Sequence, residues 1–228
     1  MTSDAPAIEA IGLEKTYGDL IALHELDLVV PAGQSVALIG HNGSGKSTFL
    51  RMATALLDPT AGVVEVAGWP VGTAEARATT SFLPDDPVLY DDLSVREHAE
   101  YVSRLHGGPG WDDYSEELVE RLGLTDRVDD LPSRFSRGLR QKTGIILAMI
   151  RPFSLLLVDE PFVGLDQGGK LAMLELLREV HEDGAATVVA THEPAYVEQV
   201  DRCIALRDGE VVFDGKAEVA DVLTLVTA

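Results

Sequence analysis

The sequence predicts an α/β fold built around a sheet that carries a phosphate-binding loop. Strand-like apolar runs alternate with segments of helical periodicity, which is the pattern of an α/β core. A glycine-rich segment, residues 40–47 (GHNGSGKS), stands between a predicted strand and a predicted helix. A mostly helical stretch around residues 86–150 interrupts the alternation, which indicates an inserted lobe.

Apolar runs predict eight strands. They are Ala7–Leu13, Ile21–Val30, Val36–Ile39, Val63–Val66, Leu155–Val158, Thr187–Ala190, Ile204–Leu206 and Val211–Phe213. The turn at residues 31–33 (Pro-Ala-Gly) separates the second strand from the third. Leu155–Val158 is wholly apolar, as is typical of a parallel strand buried on both faces. Asp208-Gly209 predicts a hairpin between the last two strands.

Helical patterns divide the chain into a core and an insertion. They cover Ser47–Leu57, Ser94–His106, Tyr114–Leu122, Ser136–Ile150 and Leu171–Val180. Residues 107–110 (Gly-Gly-Pro-Gly) break the second pattern from the third. We therefore expect a single domain over residues 1–228, with 1–85 and 151–228 as the core and 86–150 as a helical subdomain.

Composition excludes several classes of partner. The 228 residues carry a net charge of −20, so a nucleic acid backbone would be repelled and is not expected as a partner. The N-terminus lacks the pattern of a secretory signal, and the apolar runs are too short to span a bilayer. The single cysteine, Cys203, lies in an apolar run and is expected to be a small buried side chain.

The glycine-rich segment matches the phosphate-loop pattern G-x-x-x-x-G-K-[ST] in the context that this pattern requires. Its glycines let backbone N–H groups converge on phosphate oxygens, and the following helix adds its dipole. Lys46 is expected to reach the β- and γ-phosphates, and Ser47 to ligate Mg²⁺. The candidate nucleotide-binding residues are Gly40, His41, Asn42, Gly43, Ser44, Gly45, Lys46, Ser47 and Thr48. An ordinary glycine-rich turn is the alternative.

A second motif is the apolar strand that ends in Asp159 and Glu160. Such a strand can present Asp159 beside the phosphate loop as a second anchor for Mg²⁺. Glu160 is then placed to polarise a water for attack on the γ-phosphate. The alternative is a core strand with a solvated acidic end.

Taken in order along the chain, these two motifs, three further motifs and the aromatic residue Tyr17 resemble the nucleotide-binding subunits of ABC transporters. Residues 135–141 (FSRGLRQ) resemble the signature motif of that family, and residues 163–166 (VGLD) resemble its D-loop. Thr191-His192 resembles the segment that carries the switch histidine, and Tyr17 stands where the family stacks an aromatic ring on adenine. The resemblance implies a P-loop NTPase core with an antiparallel β subdomain and an inserted helical subdomain.

The resemblance also implies roles for individual residues. Lys46, Glu160 and His192 would be catalytic, and the remaining nucleotide contacts would come from Tyr17, Ser136, Gly138 and Asp166. Each of the weaker assignments has an ordinary alternative. Tyr17 could be a core aromatic, His192 a strand-end histidine, and Ser136 simply a helix N-cap.

The chain departs from the family pattern at three positions. The signature commonly has glycine at its third position and glutamine at its fifth. This chain has Arg137 and Leu139 at those positions. Asp85 stands where the family has the Q-loop glutamine, so we expect its carboxylate to contact Mg²⁺ or a water on it. A solvated acidic turn formed by Asp85 and Asp86 is the alternative. Residues 82–98 are similar to subunits that energise drug- and antibiotic-export permeases.

The function implied by the resemblance is ATP binding and hydrolysis that energises a separate transmembrane permease, for export. The cofactors would be ATP and Mg²⁺, and the partner cassette would be an identical or paralogous ATP-binding subunit. The location would be cytoplasmic, at the inner face of the cell membrane through the permease. The alternatives are a soluble ABC-type ATPase or a nucleotide-dependent regulator, although no coiled-coil insert or second cassette is seen.

Overall fold

Two β-sheets organise residues 5–217, the part of the chain that the computed structural model describes. The strands are β1 (Ile8–Tyr17), β2 (Leu20–Val30), β3 (Ser35–Ile39), β4 (Ala61–Val66), β5 (Trp69–Pro70), β6 (Thr80–Leu83), β7 (Leu155–Asp159), β8 (Ala186–Ala190), β9 (Arg202–Arg207) and β10 (Glu210–Lys216). The helices are α1 (Lys46–Ala53), α2 (Ala74–Thr79), α3 (Val95–Leu105), α4 (Asp113–Arg121), α5 (Arg137–Met149), α6 (Gln167–Glu182) and α7 (Pro194–Val197).

The first sheet is antiparallel and the second is mostly parallel. The order β2-β1-β4-β5 forms the antiparallel sheet, and β10-β9-β3-β8-β7-β6 forms the second. In the second sheet only β10 runs antiparallel to its neighbour, joined to β9 by the predicted Asp208-Gly209 turn. Both the mixed α/β class and the antiparallel β portion expected from the sequence are confirmed.

The parallel sheet is covered on both faces, so a hydrophobic core lies on each side of it. Alternate side chains of β7 point to opposite sides, so Leu156 and Val158 pack with the helices of one core. Leu155 and Leu157 pack in the other core, with α1 and the antiparallel sheet. The prediction of a parallel strand buried on both faces is confirmed. Cys203 is fully buried in the first core, as expected, and burial raises the pKa of its thiol to about 11.

The structure differs from the sequence prediction at several elements. Helix α1 ends at Ala53 rather than Leu57, because Ala55 adopts a left-handed φ of 56° that an α-helix cannot continue. Strand β6 was not predicted. Its alternation brings Ser81 inside, where the hydroxyl donates to the carbonyl oxygen of Ala148, and a buried serine hides the apolar pattern of a strand. The short α2 and β5 were also not predicted.

Helices α3, α4 and α5 fill most of the predicted insertion. The guanidinium of Arg121 on α4 contacts both carboxylate oxygens of Glu179 on α6, at 2.7 and 2.9 Å, and so ties the insertion to the core. The subdomain boundaries at 86–150 stay a prediction, and residues 1–4 and 218–228 of the predicted core lie outside the described range. Within residues 5–217 no helix combines the length and apolarity needed to cross a bilayer.

We expect Leu156→Ala to lower the free energy of unfolding by about 2–5 kcal/mol, because loss of this fully buried side chain would leave a cavity in the first hydrophobic core. Leu171→Ala is the matched control, since Leu171 is half exposed on α6 and its truncation should cost below about 0.5 kcal/mol. Urea unfolding of both variants measures the difference. Equal losses would mean that Leu156 does not lie in a close-packed core.

Candidate functional site

Four loops meet at one edge of the parallel sheet. Strands β3, β8, β7 and β6 are neighbours and run parallel, so their carboxyl ends lie together. The glycine-rich loop follows β3, Asp85 follows β6, Glu160 follows β7, and His192 follows β8. In open α/β sheets a ligand binds at such an edge. Segments that are far apart in the sequence therefore face one site.

A cavity of about 340 Å³ opens at this edge. Its walls are formed by Ala22, Asn42, Gly43, Ser44, Gly45, Lys46, Ser47, Thr48, Asp85, Asp159 and Glu160. Helix α1 begins in this wall with Gly45 as its N-cap and with no side chain bound to its first N–H groups. Those N–H groups are therefore available to a phosphate. The loop can close this tightly because Gly40 has no Cβ. A Cβ at this position would overlap the carbonyl oxygen of Leu206.

Lys46 lies deep in this wall. Its ammonium group donates to the carbonyl oxygens of Gly40 (2.6 Å) and His41 (3.2 Å) and lies 3.7 Å from Glu160 Oε1. The side chain is only 6% exposed, so its charge is little screened by water. This arrangement places a fixed positive charge beside the loop where phosphate oxygens would sit.

Asp159 has the environment of a metal-binding carboxylate. It is only 2% exposed, and its Oδ1 has no hydrogen-bond partner among the described residues. Burial raises the pKa of this carboxyl, while the Ser47 hydroxyl and Lys46 act in the opposite direction. A buried anion with a free oxygen is stabilised by a cation, so Asp159 and Ser47 fit Mg²⁺.

Glu160 and His192 lie within contact distance of each other. His192 Nδ1 is 3.2 Å from Glu160 Oε2, and the histidine side chain is mostly exposed. Burial raises the pKa of Glu160, and its charged neighbours His192 and Lys46 lower it. The backbone of Glu160 is left-handed, with φ 47°, and its N–H donates to the carbonyl oxygen of Ala190 at 2.8 Å. A carboxylate of raised basicity at the end of β7 is suited to take a proton from water.

Asp85 and Asp86 have different surroundings. Asp85 lines the cavity, and its Oδ1 lies 2.8 Å from Nη2 of Arg137 at the start of α5. Asp86 is exposed and does not line the cavity. The carboxylate of Asp85 also raises the pKa of Asp159, so the two acidic groups are close enough to repel each other.

The signature-like segment lies outside this cavity. The Ser136 hydroxyl accepts a hydrogen bond from the N–H of Leu139 at 3.3 Å and so caps α5. This is the helix N-cap that the sequence offered as the alternative role of Ser136. Gly138 packs so closely on the loop after β7 that a Cβ there would overlap the carbonyl oxygen of Gly164. Neither Ser136 nor Gly138 lines the cavity of its own chain, so their predicted contact with nucleotide stays a prediction.

Two other predicted contacts also lie outside the cavity. Asp166 caps α6 and bonds to Lys142 on α5 at 2.9 Å, which lowers the pKa of the Asp166 carboxyl. Tyr17 is half exposed at the end of β1, with Lys15 Nζ 5.0 Å from its ring centre, so it is not a core aromatic. An exposed ring is available for stacking, but its role toward adenine stays a prediction.

Three residues at this site were missed or left without a role. Ala22 on β2 lines the cavity, and nothing in its local sequence indicates this. Lys142 on α5 binds Asp166. Arg137 was noted only as a departure from a pattern, yet it pairs with Asp85, which is the other charged departure. The opposite charges of these two substitutions were the available signal.

Comparison with protein families identifies the chain. The model of the ABC transporter family matches residues 23–163, a span that includes the phosphate loop, the signature segment and the Asp159-Glu160 pair. The chain belongs to the ABC transporter family. It is an ATP-binding domain of the ABC type, and domains of this type hydrolyse ATP.

Curated ABC transporter proteins match nearly all of this chain. Macrolide export ATP-binding/permease protein MacB 1 of Aeromonas hydrophila is 34% identical over 93% of the chain, which spans only 35% of that relative. SkfA peptide export ATP-binding protein SkfE of Bacillus subtilis is 32% identical over 89% of this chain and 86% of its own length. Methionine import ATP-binding protein MetN of Nocardia farcinica is 35% identical over 92% and 67%, respectively.

Solved ABC structures share the fold. A structure described as the ATP-binding subunit of an ABC transporter superposes with a TM-score of 0.83 at 30% identity, over 97% of this chain and 95% of that chain. A dimeric structure of the cassette MJ0796, bound to ADP and Pi in a post-hydrolysis state, gives 0.83 at 25% identity over 92% and 98%.

We expect Lys46→Ala to abolish ATP hydrolysis and greatly weaken ATP binding while the fold persists, because the mutation removes the buried cation of the phosphate loop. Lys170→Ala, on an ion pair with Glu193, is the control and should bind ATP as the wild type does. Calorimetric titration with ATP measures both, and circular dichroism checks the fold. Unchanged ATP affinity in Lys46→Ala would contradict the assignment of this loop.

Proposed function

We propose that this chain binds and hydrolyses ATP as one half of a nucleotide sandwich, and that it energises a separate transmembrane permease for export. The observation that carries this proposal is the split of the site. The phosphate loop, Asp159 and Glu160 line one cavity, whereas Ser136 and Gly138 of the signature lie outside it. A second cassette would supply the missing half.

The split implies that ATP joins two subunits. Ser136 and Gly138 would contact the γ-phosphate that is held by the partner, identical or paralogous, and the partner's signature would complete the cavity described here. The dimeric relative MJ0796 with ADP and Pi supports this arrangement. Because ADP lacks the γ-phosphate, hydrolysis removes the contacts that favour the closed pair.

The hydrolytic step follows from the groups around the cavity. Glu160 accepts a proton from a water molecule while the oxygen of that water attacks the γ-phosphorus. The bond between the γ-phosphorus and the oxygen that bridges it to ADP breaks, and its electron pair leaves with ADP. Lys46 and the N–H groups at the start of α1 hold the phosphate oxygens and stabilise their charge. His192 contacts Glu160 and orients its carboxylate. The products are ADP and inorganic phosphate.

Mg²⁺ is the metal that the donor set favours. Ser47 and Asp159 offer hard oxygen ligands, and Asp85 adds a third oxygen group at the same cavity. No group of three or more His, Cys, Asp or Glu side chains within residues 5–217 is arranged to hold a metal by itself. The ion would therefore arrive with the triphosphate, to neutralise its charge, and these residues would hold it there.

A surface next to Asp85 is suited to the permease. Val88 is 94% exposed and lines a cavity of about 300 Å³ between β6, α3 and α5. Tyr90 and Leu105 are exposed and follow or precede lining residues along the chain, Leu89 and His106. The loop that carries Asp85 also forms part of this wall, through Pro84 and Pro87. A change at the nucleotide edge would thus reach a permease bound here, at the inner face of the cell membrane. Export is supported by the likeness to MacB 1 and SkfE, while MetN is an import protein.

We expect Glu160→Gln to bind ATP and fail to hydrolyse it, because the amide keeps the shape of the side chain but is not basic. The trapped ATP should convert the monomer into a dimer, measured by size-exclusion chromatography with and without ATP. Glu193→Gln, at the neighbouring loop, is the control and should keep its turnover. Hydrolysis by Glu160→Gln at the wild-type rate would overturn the role of this carboxylate.

We expect Asp85→Asn to change the Mg²⁺ dependence of ATP binding, and Asp86→Asn to change it less. Removing the Asp85 charge relieves repulsion with Asp159 and the phosphates, so ATP should bind better without metal and gain less from Mg²⁺. Titration of Mg²⁺ at fixed ATP measures both variants. A larger effect at Asp86 would place the functional carboxylate one residue later, and equal negligible effects would favour a solvated turn.

A further inference from the structure

The ion pair between Asp85 and Arg137 joins the two charged departures of this chain from its family. The residues are 52 positions apart, and their side chains meet at 2.8 Å. At these positions the family commonly has an uncharged amide and a glycine. A carboxylate in one position and a guanidinium in the other keep the sum of the two charges at zero.

The negative charge around the cavity gives a physical reason for pairing Asp85 with a cation. Asp85, Asp159 and Glu160 place three carboxylates around a cavity that must receive a highly anionic triphosphate. Lys46 donates to loop carbonyl oxygens and lies 3.7 Å from Glu160, whereas the side chain of Asp85 meets that of Arg137. Within residues 5–217, Arg137 is the basic side chain that pairs with Asp85.

Arg137 is itself held in place by its helix. It is the first residue of α5, where Gly138 packs against the carbonyl oxygen of Gly164 and Lys142 binds Asp166. These contacts fix the start of α5 on the loop after β7. The backbone of Arg137 is therefore fixed, and its guanidinium can determine where the Asp85 carboxylate lies.

We propose that Arg137 is a positioning residue for Asp85, which holds its carboxylate at the edge of the cavity and compensates its charge, so that an aspartate can serve where the family uses an amide. The inference rests on the proposed binding of ATP and Mg²⁺. Both side chains are about half exposed, so the pair contributes little to folding stability. Its effect lies in how strongly ATP binding depends on the metal.

The test is a double-mutant cycle on the ratio of two ATP dissociation constants, one measured in EDTA and one in excess Mg²⁺. Arg137→Gln leaves the Asp85 charge uncompensated, so ATP binding without metal should weaken and the ratio should rise by about three- to tenfold. In the Asp85→Asn background the same substitution should leave the ratio unchanged. Arg137→Lys should restore most of the wild-type ratio, because it keeps a cation at this position.

Controls separate this role from simpler ones. Arg178→Gln removes a positive charge from a remote exposed pair with Glu182 and should not change the ratio. The urea midpoint of Arg137→Gln should match the wild type, which excludes a loss of folding as the cause. The effect should shrink at high ionic strength, because the pair is open to solvent.

Two outcomes would overturn the proposal while leaving the proposed function intact. If Arg137→Gln changes the ratio equally in both backgrounds, Arg137 acts on the phosphates as a simple charge and not through Asp85. If the ratio does not change in Arg137→Gln, the pair has no role in metal dependence. A wild-type protein that binds no ATP would instead contradict the proposed function itself.

Discussion

The parallel pairing of β3, β8, β7 and β6 is the constraint on which the rest of this molecule depends. Parallel strands bring their carboxyl ends to one edge, so the loops after them must converge even though the chain between them is long. Register makes the convergence closer, since Asp159 pairs with Ala190 immediately before the loop of His192. The buried apolar side chains on both faces hold that register, because a slip by one residue would turn each of them to the opposite face.

The converging loops create an electrostatic problem that the helices resolve. A site that needs carboxylates for a metal and for a base must also accept a polyanion, and its low exposure strengthens each repulsion. The positively charged side chains come from separate parts of the fold. Lys46 lies at the start of α1, and Arg137 lies at the start of α5. Two helix N-termini thus carry the counter-charges of one strand edge, which links the inserted helices to the chemistry of the core.

The sequence predicts the class, most of the central strands and the phosphate loop because each of these depends on local patterns. It fails where a contact between distant residues decides the local structure. Strand β6 is hidden because Ser81 is buried through a hydrogen bond to α5. The end of α1 depends on one left-handed alanine, Ala55. The partner of Asp85 lies 52 residues away, so no local pattern indicates it, and only the opposite charges of the two substitutions pointed to the pair.

The left-handed backbone of Glu160 has a consequence for how this domain can evolve. Glycine adopts such a φ without the steric cost that a side chain carries, so drift to glycine at position 160 would favour folding. The same change would erase the carboxylate beside Lys46 and His192. A lineage released from the need to turn over nucleotide could therefore drift to a more stable, inactive cassette through a single codon.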